Sequence, residues 1–297
     1  MIASEAISKR FGPQQALREV SFRVEDGEIV ALMGANGAGK STLFDILATI
    51  DPDFEGNATV AGFDVRRSPV EARSRIGYVP GRFSLYGDLS VAENLAFFAG
   101  AYGCRAEDIG RFSPFLWRSI ADFSDYRADT LSGGMKQKLS ICCALVHNPA
   151  VLLLDEPTVG VDPVSRHDMW EEIGALRRQG VSVLVSTHYL DEAALADKIL
   201  FLHQGETLLF DSPESIVRSY AHRLYTLPCT AAELPQLEAA LAGTPGILDH
   251  YLWGDSLHIT ADDAYSGAPV CGRTPSRIAP SLEDVFIDTL TTGRTRL

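Results

Sequence analysis

The segment from residue 34 to residue 41 has the residue types and spacing of a phosphate-binding loop. It reads Gly-Ala-Asn-Gly-Ala-Gly-Lys-Ser and fills every fixed position of the pattern GxxxxGK[ST]. Glycines let successive backbone N–H groups face one anion, and the helix predicted to begin at Gly39 adds partial positive charge. Lys40 would then reach the β- and γ-phosphates of a nucleotide, and the Ser41 hydroxyl would ligate Mg²⁺. The residues predicted to hold the nucleotide here are Gly34, Asn36, Gly37, Ala38, Gly39, Lys40, Ser41 and Thr42.

Two carboxylates, Asp155 and Glu156, follow a short apolar run of sequence Val-Leu-Leu-Leu. Acidic side chains at the mouth of a buried strand are costly unless they are paired or bind a metal. We therefore predict that Asp155 holds Mg²⁺, directly or through water, and that Glu156 polarises an attacking water as a general base. The alternatives are that the acids only cap the following turn, and that the glycine-rich segment is only a tight strand-to-helix turn.

The order of strands and helices must bring these two segments together. From residue 151 onward the sequence predicts a strand, a helix at 163–179, a strand ending near Thr187, a helix at 190–196 and a further strand. Continuous apolar strands that alternate with amphipathic helices are typical of a parallel sheet covered on both faces. The predicted fold class is therefore α/β.

Other parts of the chain have different local patterns. Short strand-like runs separated by Gly, Asp and Asn fill much of the beginning, and the middle is rich in predicted helices, one of them at 118–128. The composition shifts near residue 220, where a strand at 251–260 and a loop at 266–280 precede a last helix. We predict two domains, residues 1–219 and a small α+β domain at 220–297.

Composition excludes several classes of protein. The 297 residues are 46% hydrophobic and 22% charged, which is ordinary globular usage and not that of a disordered chain. The net charge of −13 is opposite in sign to that of a general nucleic-acid binder, so no nucleic-acid partner is expected. The five cysteines include no CxxC pair, and no run of about 20 apolar residues predicts a membrane span.

A third segment points to a family. Residues 131–137 read Leu-Ser-Gly-Gly-Met-Lys-Gln and open a predicted helix shortly before the acidic strand end. This segment resembles the signature motif of the ABC ATPases. The phosphate loop and Asp155-Glu156 support the same resemblance. The resemblance implies a P-loop NTPase fold with a parallel sheet core, an antiparallel β subdomain and a helical subdomain, and it implies binding and hydrolysis of ATP with Mg²⁺.

The resemblance also implies a site shared between two chains. In the family, the signature serine and the start of its helix face the γ-phosphate bound to the opposite subunit, so two copies or paralogues would pack head to tail. Ser132, Gly133 and Gly134 match these positions.

Three further positions match the family residue by residue. Phe11 matches the aromatic residue that stacks on adenine, although a core aromatic is the competing interpretation. Asp162 matches the aspartate of the inter-subunit loop. His188 matches the switch histidine, which bonds the γ-phosphate and the catalytic glutamate, here Glu156.

One position departs from the family pattern. The strand-like run Ile76–Val79 and Pro80 normally lead into a glutamine that contacts Mg²⁺ and the attacking water, but Gly81 stands there, followed by Arg82. Glycine has no hydrogen-bonding side chain. We therefore expect a slower or differently coupled ATPase.

The end of the chain resembles one subfamily. Residues 280–286, Pro-Ser-Leu-Glu-Asp-Val-Phe, are similar to the ending of ATPase subunits of ABC-2-type exporters, and other segments resemble multidrug-efflux ATPases. This implies transmembrane permease subunits as partners and a cytoplasmic location, peripheral on the inner face of the cell membrane. Two alternatives remain open: a binding-only regulatory module, and a soluble ABC ATPase of translation or DNA repair.

Overall fold

Short aliphatic runs such as residues 29–33, 151–154 and 182–186 form buried strands in the first part of the chain. The computed structural model describes residues 1–292, without the side chains of residues 111, 112 and 292. The chain divides into two units, and the boundary along the sequence lies between Ser212 and Pro213. This division falls before residue 219, where the composition suggested it, and the assignment of two functional domains stays a prediction.

The first unit contains eighteen of the described strands and helices. In chain order they are β1 (Ile2–Phe11), β2 (Gln14–Val24), β3 (Ile29–Met33), α1 (Lys40–Leu47), β4 (Glu55–Val60), β5 (Phe63–Asp64), α2 (Pro69–Arg73), β6 (Ile76–Val79), α3 (Val91–Ala101), α4 (Ile109–Phe112), α5 (Pro114–Ala121), α6 (Gly133–Leu145), β7 (Val151–Leu154), α7 (Pro163–Arg178), β8 (Ser182–Ser186), α8 (Leu190–Ala193), β9 (Lys198–His203) and β10 (Glu206–Asp211).

Two sheets form the framework of this unit. The central sheet has the order β10-β9-β3-β8-β7-β6, in which β9, β3, β8, β7 and β6 are parallel and β10 is antiparallel to β9. The second sheet, β2-β1-β4-β5, is antiparallel. One hydrophobic core joins them, with Phe44 of α1 among its fully buried side chains. Every residue of β3, β7 and β8 is buried, as parallel strands require.

The carboxyl ends of β3 and β7 carry the two motifs singled out in the sequence. The phosphate loop follows β3, and Asp155-Glu156 follows β7. Strand β8 lies between them in the sheet. Ligands of open α/β sheets bind at this edge, where the strands end.

The helix predicted at 118–128 is wrong in position. Helix α5 begins at Pro114, which needs no N–H at the first helical turn, and ends at Ala121. The following residues turn back instead. The carbonyls of Ser124 and Tyr126 accept hydrogen bonds from the first N–H groups of α3, 2.9 and 3.0 Å long.

The second unit contains α9 (Pro213–Arg218), β11 (Arg223–Pro228), α10 (Leu234–Leu241), β12 (Ile247–Trp253), β13 (Ser256–Ala261), β14 (Ser276–Ile278) and α11 (Leu282–Thr292). Its antiparallel sheet has the order β12-β13-β11-β14 and a core of its own. The single strand predicted at 251–260 is wrong: Gly254, with φ +60°, and Asp255 form a tight turn between β12 and β13. The predicted loop at 266–280 contains β14.

Among residues 1–292, no helix is both long enough and apolar enough to cross a membrane.

Candidate active site

The phosphate loop is shaped by close backbone approaches that only glycine allows. A Cβ on Gly34 would lie 2.3 Å from the carbonyl oxygen of Leu202. Gly39 has φ +107°, and a Cβ there would lie 2.5 Å from the carbonyl oxygen of Ala16. Gly39 is also the N-cap of α1, and its helix has no side-chain cap. The first N–H groups of α1 are therefore available to an anion.

Lys40 is folded back over this loop. Its ammonium donates to the carbonyl oxygens of Gly34, at 2.8 Å, and Ala35, at 3.3 Å. It also lies 3.4 Å from Oε1 of Glu156. The side chain is only 5% exposed, so its charge is directed into the site and not into bulk water.

The Ser41 hydroxyl and the Asp155 carboxylate meet directly, since Oγ of Ser41 donates to Oδ2 of Asp155 at 2.8 Å. A hydroxyl and a carboxylate are the hard oxygen donors that Mg²⁺ prefers, usually alongside water and substrate phosphate. These two residues therefore fit a magnesium ion next to the phosphate loop.

Ser186, the last residue of β8, holds both acidic residues. Its hydroxyl donates to Oδ1 of Asp155 at 2.7 Å and accepts the backbone N–H of Glu156 at 2.7 Å. Glu156 itself has φ +53°, an uncommon conformation for a residue with a side chain. Such strain is found at functional sites, where surrounding contacts maintain it.

His188 lies beside Glu156, as the sequence predicted. Its Nε2 is 2.7 Å from Oε1 of Glu156. The buried carboxylate of Glu192 fixes the two segments that carry this pair. It accepts hydrogen bonds from Thr158, at 2.9 Å, and from Thr187.

Phe11 is 52% exposed, so the alternative of a core aromatic is wrong. It stands at the end of β1 and borders a cavity together with residues of the phosphate loop and Glu156. This cavity is lined by Phe11, Gln14, Ala16, Asn36, Gly37, Gly39, Lys40, Ser41, Thr42 and Glu156. The remaining predicted residues nearby adjoin this lining: Gly34 and Asp155 bond Lys40 and Ser41, His188 bonds Glu156, and Ala38 is buried in the loop.

The signature-like segment does not line this cavity. Ser132 is exposed and caps α6, where its Oγ accepts the backbone N–H of Met135 at 3.3 Å. The two glycines that follow lie against the segment that carries Asp162. A Cβ on Gly133 would be 3.3 Å from the carbonyl oxygen of Gly160. A Cβ on Gly134 would be 3.5 Å from Oγ of Ser165.

Asp162 caps helix α7 and accepts the N–H groups of Val164 and Ser165, at 3.1 and 3.0 Å. The hydrogen bond from the Ser165 backbone holds the pKa of this carboxyl below its usual range. Asp162 does not line the cavity that contains Phe11 and Lys40.

Gly81 borders the acidic pair from the end of β6. A Cβ at this position would lie 3.3 Å from the carbonyl oxygen of Asp155 and 3.5 Å from its Oδ2. A longer side chain at residue 81 would therefore reach the Asp155 carboxylate, which could hold magnesium together with Ser41.

Sequence reasoning missed Ser186, Glu192 and Gln14. Serine at a strand end and glutamate in a short helix are common, and neither signals a role by itself. Gln14 could have been found, because it directly opposes Phe11 across the β1–β2 hairpin, whose turn is marked by Gly12 and Pro13.

Comparison with known proteins identifies the family. The family described as ABC transporter matches residues 17–159. The chain is 41% identical to the probable multidrug ABC transporter ATP-binding protein YbhF of Escherichia coli, over 73% of this chain but only 38% of that protein. It is 33% identical to the Nod factor export ATP-binding protein I of Burkholderia thailandensis, over 95% of this chain and 94% of that one.

Solved structures give the same result. One of them is the dimeric structure of the ATP-binding cassette MJ0796 in a post-hydrolysis state, bound to ADP and Pi. The match covers 71% of this chain and 98% of the MJ0796 chain. The TM-score is 0.64 and the identity 25%. The chain therefore belongs to the ABC transporter family, among its ATP-binding proteins. The predicted family and the predicted fold class are confirmed.

Proposed function

We propose that this chain binds ATP with Mg²⁺, hydrolyses it as part of a head-to-tail dimer and drives separate permease subunits of an exporter. One observation carries the proposal: a single cavity joins Phe11, the phosphate loop and Glu156, while Ser41 and Asp155 meet at its edge. The base and the triphosphate of one nucleotide, a metal ion and a water molecule could thus be held next to one another in one site.

Each side chain has a defined task in this reaction. Lys40 and the N–H groups of α1 stabilise the negative charge of the phosphates. Glu156 accepts a proton from the attacking water. Its Oε1 is engaged by His188 and Lys40, so Oε2 is the oxygen that would do so. Mg²⁺, held by Ser41 and Asp155, would supply further positive charge against the phosphates.

A second copy completes the site in this proposal. Ser132 and the start of α6 are exposed and lie outside the cavity of their own chain. A helix N-terminus with a hydroxyl suits the γ-phosphate bound to another copy. The dimeric state of the MJ0796 cassette supports this arrangement. The second copy would be an identical chain or a paralogue.

The permease partner is supported by a surface and by the relatives. Tyr86 and Phe97 are both exposed, with ring centroids 4.8 Å apart. They adjoin a mostly apolar groove of about 270 Å³, in which His147 stacks on Tyr102 at 3.8 Å. Burial lowers the pKa of His147, which favours its neutral form. Exposed apolar patches of this kind mark protein interfaces.

The relatives with export in their names and the ending at 280–286 favour permeases of the ABC-2 type. The chain would then be peripheral on the inner face of the membrane.

The test is phosphate release from the purified chain with Mg-ATP, alone and with a co-expressed permease. Turnover that rises with the permease and is lost in Glu156→Gln supports the proposal. ATP binding without phosphate release under either condition contradicts it and favours a second candidate, an ATP-binding regulatory module.

The glycine at residue 81 favours this regulatory module, because no side chain reaches from residue 81 towards Asp155. If the glycine limits turnover, Gly81→Gln should raise kcat by about tenfold or more, the scale of one hydrogen bond to a charged group. Gly81→Ala adds only a Cβ and is the matched control. Equal turnover in the wild type and both variants would mean that another residue supplies this contact.

A further inference from the structure

Lys9 is a buried cation just outside the candidate active site. It lies on β1, two residues before Phe11, and its side chain is only 5% exposed. Two carboxylates hold its ammonium: Oδ2 of Asp51 at 2.8 Å and Oδ2 of Asp53 at 3.3 Å. It also donates to the carbonyl oxygen of Asp53. An ammonium held at so many points has little freedom to move.

The same ammonium faces the ring of Phe11. Its Nζ lies 4.9 Å from the ring centroid, within the range of a cation–π interaction. Phe11 lines the cavity of the phosphate loop, whereas Lys9 does not. Lys9 instead lines a neighbouring polar cavity with Arg10, Gln15 and Asp53. The ring is therefore held by a cation from outside the nucleotide cavity.

The carboxylates that hold Lys9 belong to the far end of the phosphate-binding helix. Asp51 and Asp53 follow α1, which begins with Lys40. The backbone N–H of Asp51 donates to the carbonyl of Asp45, within α1, at 3.1 Å. The Lys9 ammonium thus joins the strand that presents the aromatic ring to the helix that presents the phosphate site.

We propose that Lys9 is a positioning residue for the nucleotide base. Its clamped ammonium fixes the ring of Phe11 and draws electron density to one face, so the other face becomes a better stacking surface for an electron-rich purine. This inference rests on the proposed function, since it requires that the cavity binds ATP and that Phe11 stacks on the base.

The test compares two ligands that share phosphates but differ in the base: ATP and inorganic tripolyphosphate. Affinities are measured by calorimetry on the full chain with Mg²⁺. In Lys9→Met we expect ATP binding to weaken by about 3- to 10-fold, the scale of one partly desolvated cation–π contact. Tripolyphosphate binding should stay within about twofold, and Lys9→Arg should bind ATP like the wild type.

Lys198 provides a matched control. Its ammonium also pairs with a carboxylate, Glu28, at 2.8 Å, and lies 5.5 Å from the ring centroid of Phe210. None of these three residues lines the nucleotide cavity. Lys198→Met should therefore bind both ligands like the wild type. If Lys9→Met folds poorly because Asp51 loses its partner, the double variant Lys9→Met/Asp51→Asn removes the unpaired charge.

The outcomes separate this inference from the proposed function. Phe11→Ala should lose the same base-dependent affinity, and adding Lys9→Met to it should cost nothing more. If the wild type binds ATP and Lys9→Met binds it with the same affinity, only the role of Lys9 is overturned. Equal losses for ATP and tripolyphosphate would assign Lys9 a structural role only. A wild type that binds ATP no better than tripolyphosphate would overturn the stacking of Phe11 and the role of Lys9, whereas a wild type that does not bind ATP at all would also overturn the proposed function.

Discussion

At the scale of residues, the site depends on how Glu156 is held. Its left-handed backbone conformation costs about 1–2 kcal/mol for a residue with a side chain. The Ser186 hydroxyl, the His188 imidazole and the Lys40 ammonium all contact this one residue. Several independent contacts are needed because a strained backbone would otherwise relax.

Replacing Glu156 by glutamine tests its role as general base. The amide keeps the size of the side chain and cannot accept the proton. We expect ATP binding to persist and hydrolysis to fall by about 10²- to 10⁴-fold. Single-turnover phosphate release and nucleotide affinity are the measurements. Hydrolysis at the wild-type rate would remove Glu156 from the chemistry.

Replacing Ser186 by alanine tests the support of the acidic pair. The variant loses the hydrogen bonds to Asp155 and to the Glu156 backbone, so we expect kcat to fall by about 10- to 100-fold, because small displacements of catalytic groups are costly. Ser182→Ala, at the opposite end of the same strand, is the control. A loss of kcat in both variants alike would indicate a general effect on β8.

At the scale of elements, the N-terminus of a helix contributes partial positive charge to its surroundings. Helix α1 begins inside the cavity without a side-chain cap, whereas α6 begins at the surface with Ser132 as its cap. Helix α3 provides a comparison, because Ser90 and Glu93 cap it reciprocally. The start of α3 is therefore fully occupied within its own chain.

These caps can be compared directly. Ser132→Ala and Ser90→Ala should each lower the free energy of unfolding by about 0.5–2 kcal/mol, the usual cost of a lost N-cap. Only Ser132→Ala should also weaken ATP-dependent dimerisation, measured by light scattering with Glu156→Gln as background. Equal dimerisation in both variants would contradict a role of Ser132 at the second nucleotide.

At the scale of the whole molecule, the residues matched to the family fall into two groups. One chain brings Phe11, Lys40 and Glu156 into one cavity, while Ser132 and Asp162 lie outside it. A head-to-tail dimer would unite the two groups. Each composite site would then depend on residues of both copies.

Mixing two inactive variants tests this arrangement. Lys40→Ala and Ser132→Arg should each lack turnover alone, because both sites of either homodimer are defective. In a mixed dimer, both defects fall in one site and the other stays intact. With random pairing, half of the dimers are mixed, and each mixed dimer has one of its two sites intact. Phosphate release should therefore recover to about a quarter of the wild-type rate. No recovery on mixing, with dimers shown to exchange, would exclude composite sites.

Much of this site could be predicted from the sequence because its motifs are local. The loop from Gly34 to Ser41 binds through consecutive N–H groups, so its chemistry is written in consecutive residues. The acids after β7 and the capped start of α6 are likewise short patterns. The alternation of strands and helices also predicted the parallel sheet. The sequence by itself thus determined the family, the fold class and most of the residues that line the cavity, although not Gln14 and Ala16.

The tertiary structure decided what depends on contacts between distant segments. Ser186 reaches Asp155 because β8 lies beside β7 in the sheet, and no local pattern states that order. Lys9 meets Asp51 only in the folded chain, because the two residues are 42 positions apart in the sequence. The helix predicted at 118–128 failed for the same reason, since its carbonyls serve α3 instead. Long-range hydrogen bonds and packing outweigh local propensity, and they are formed only in the folded chain.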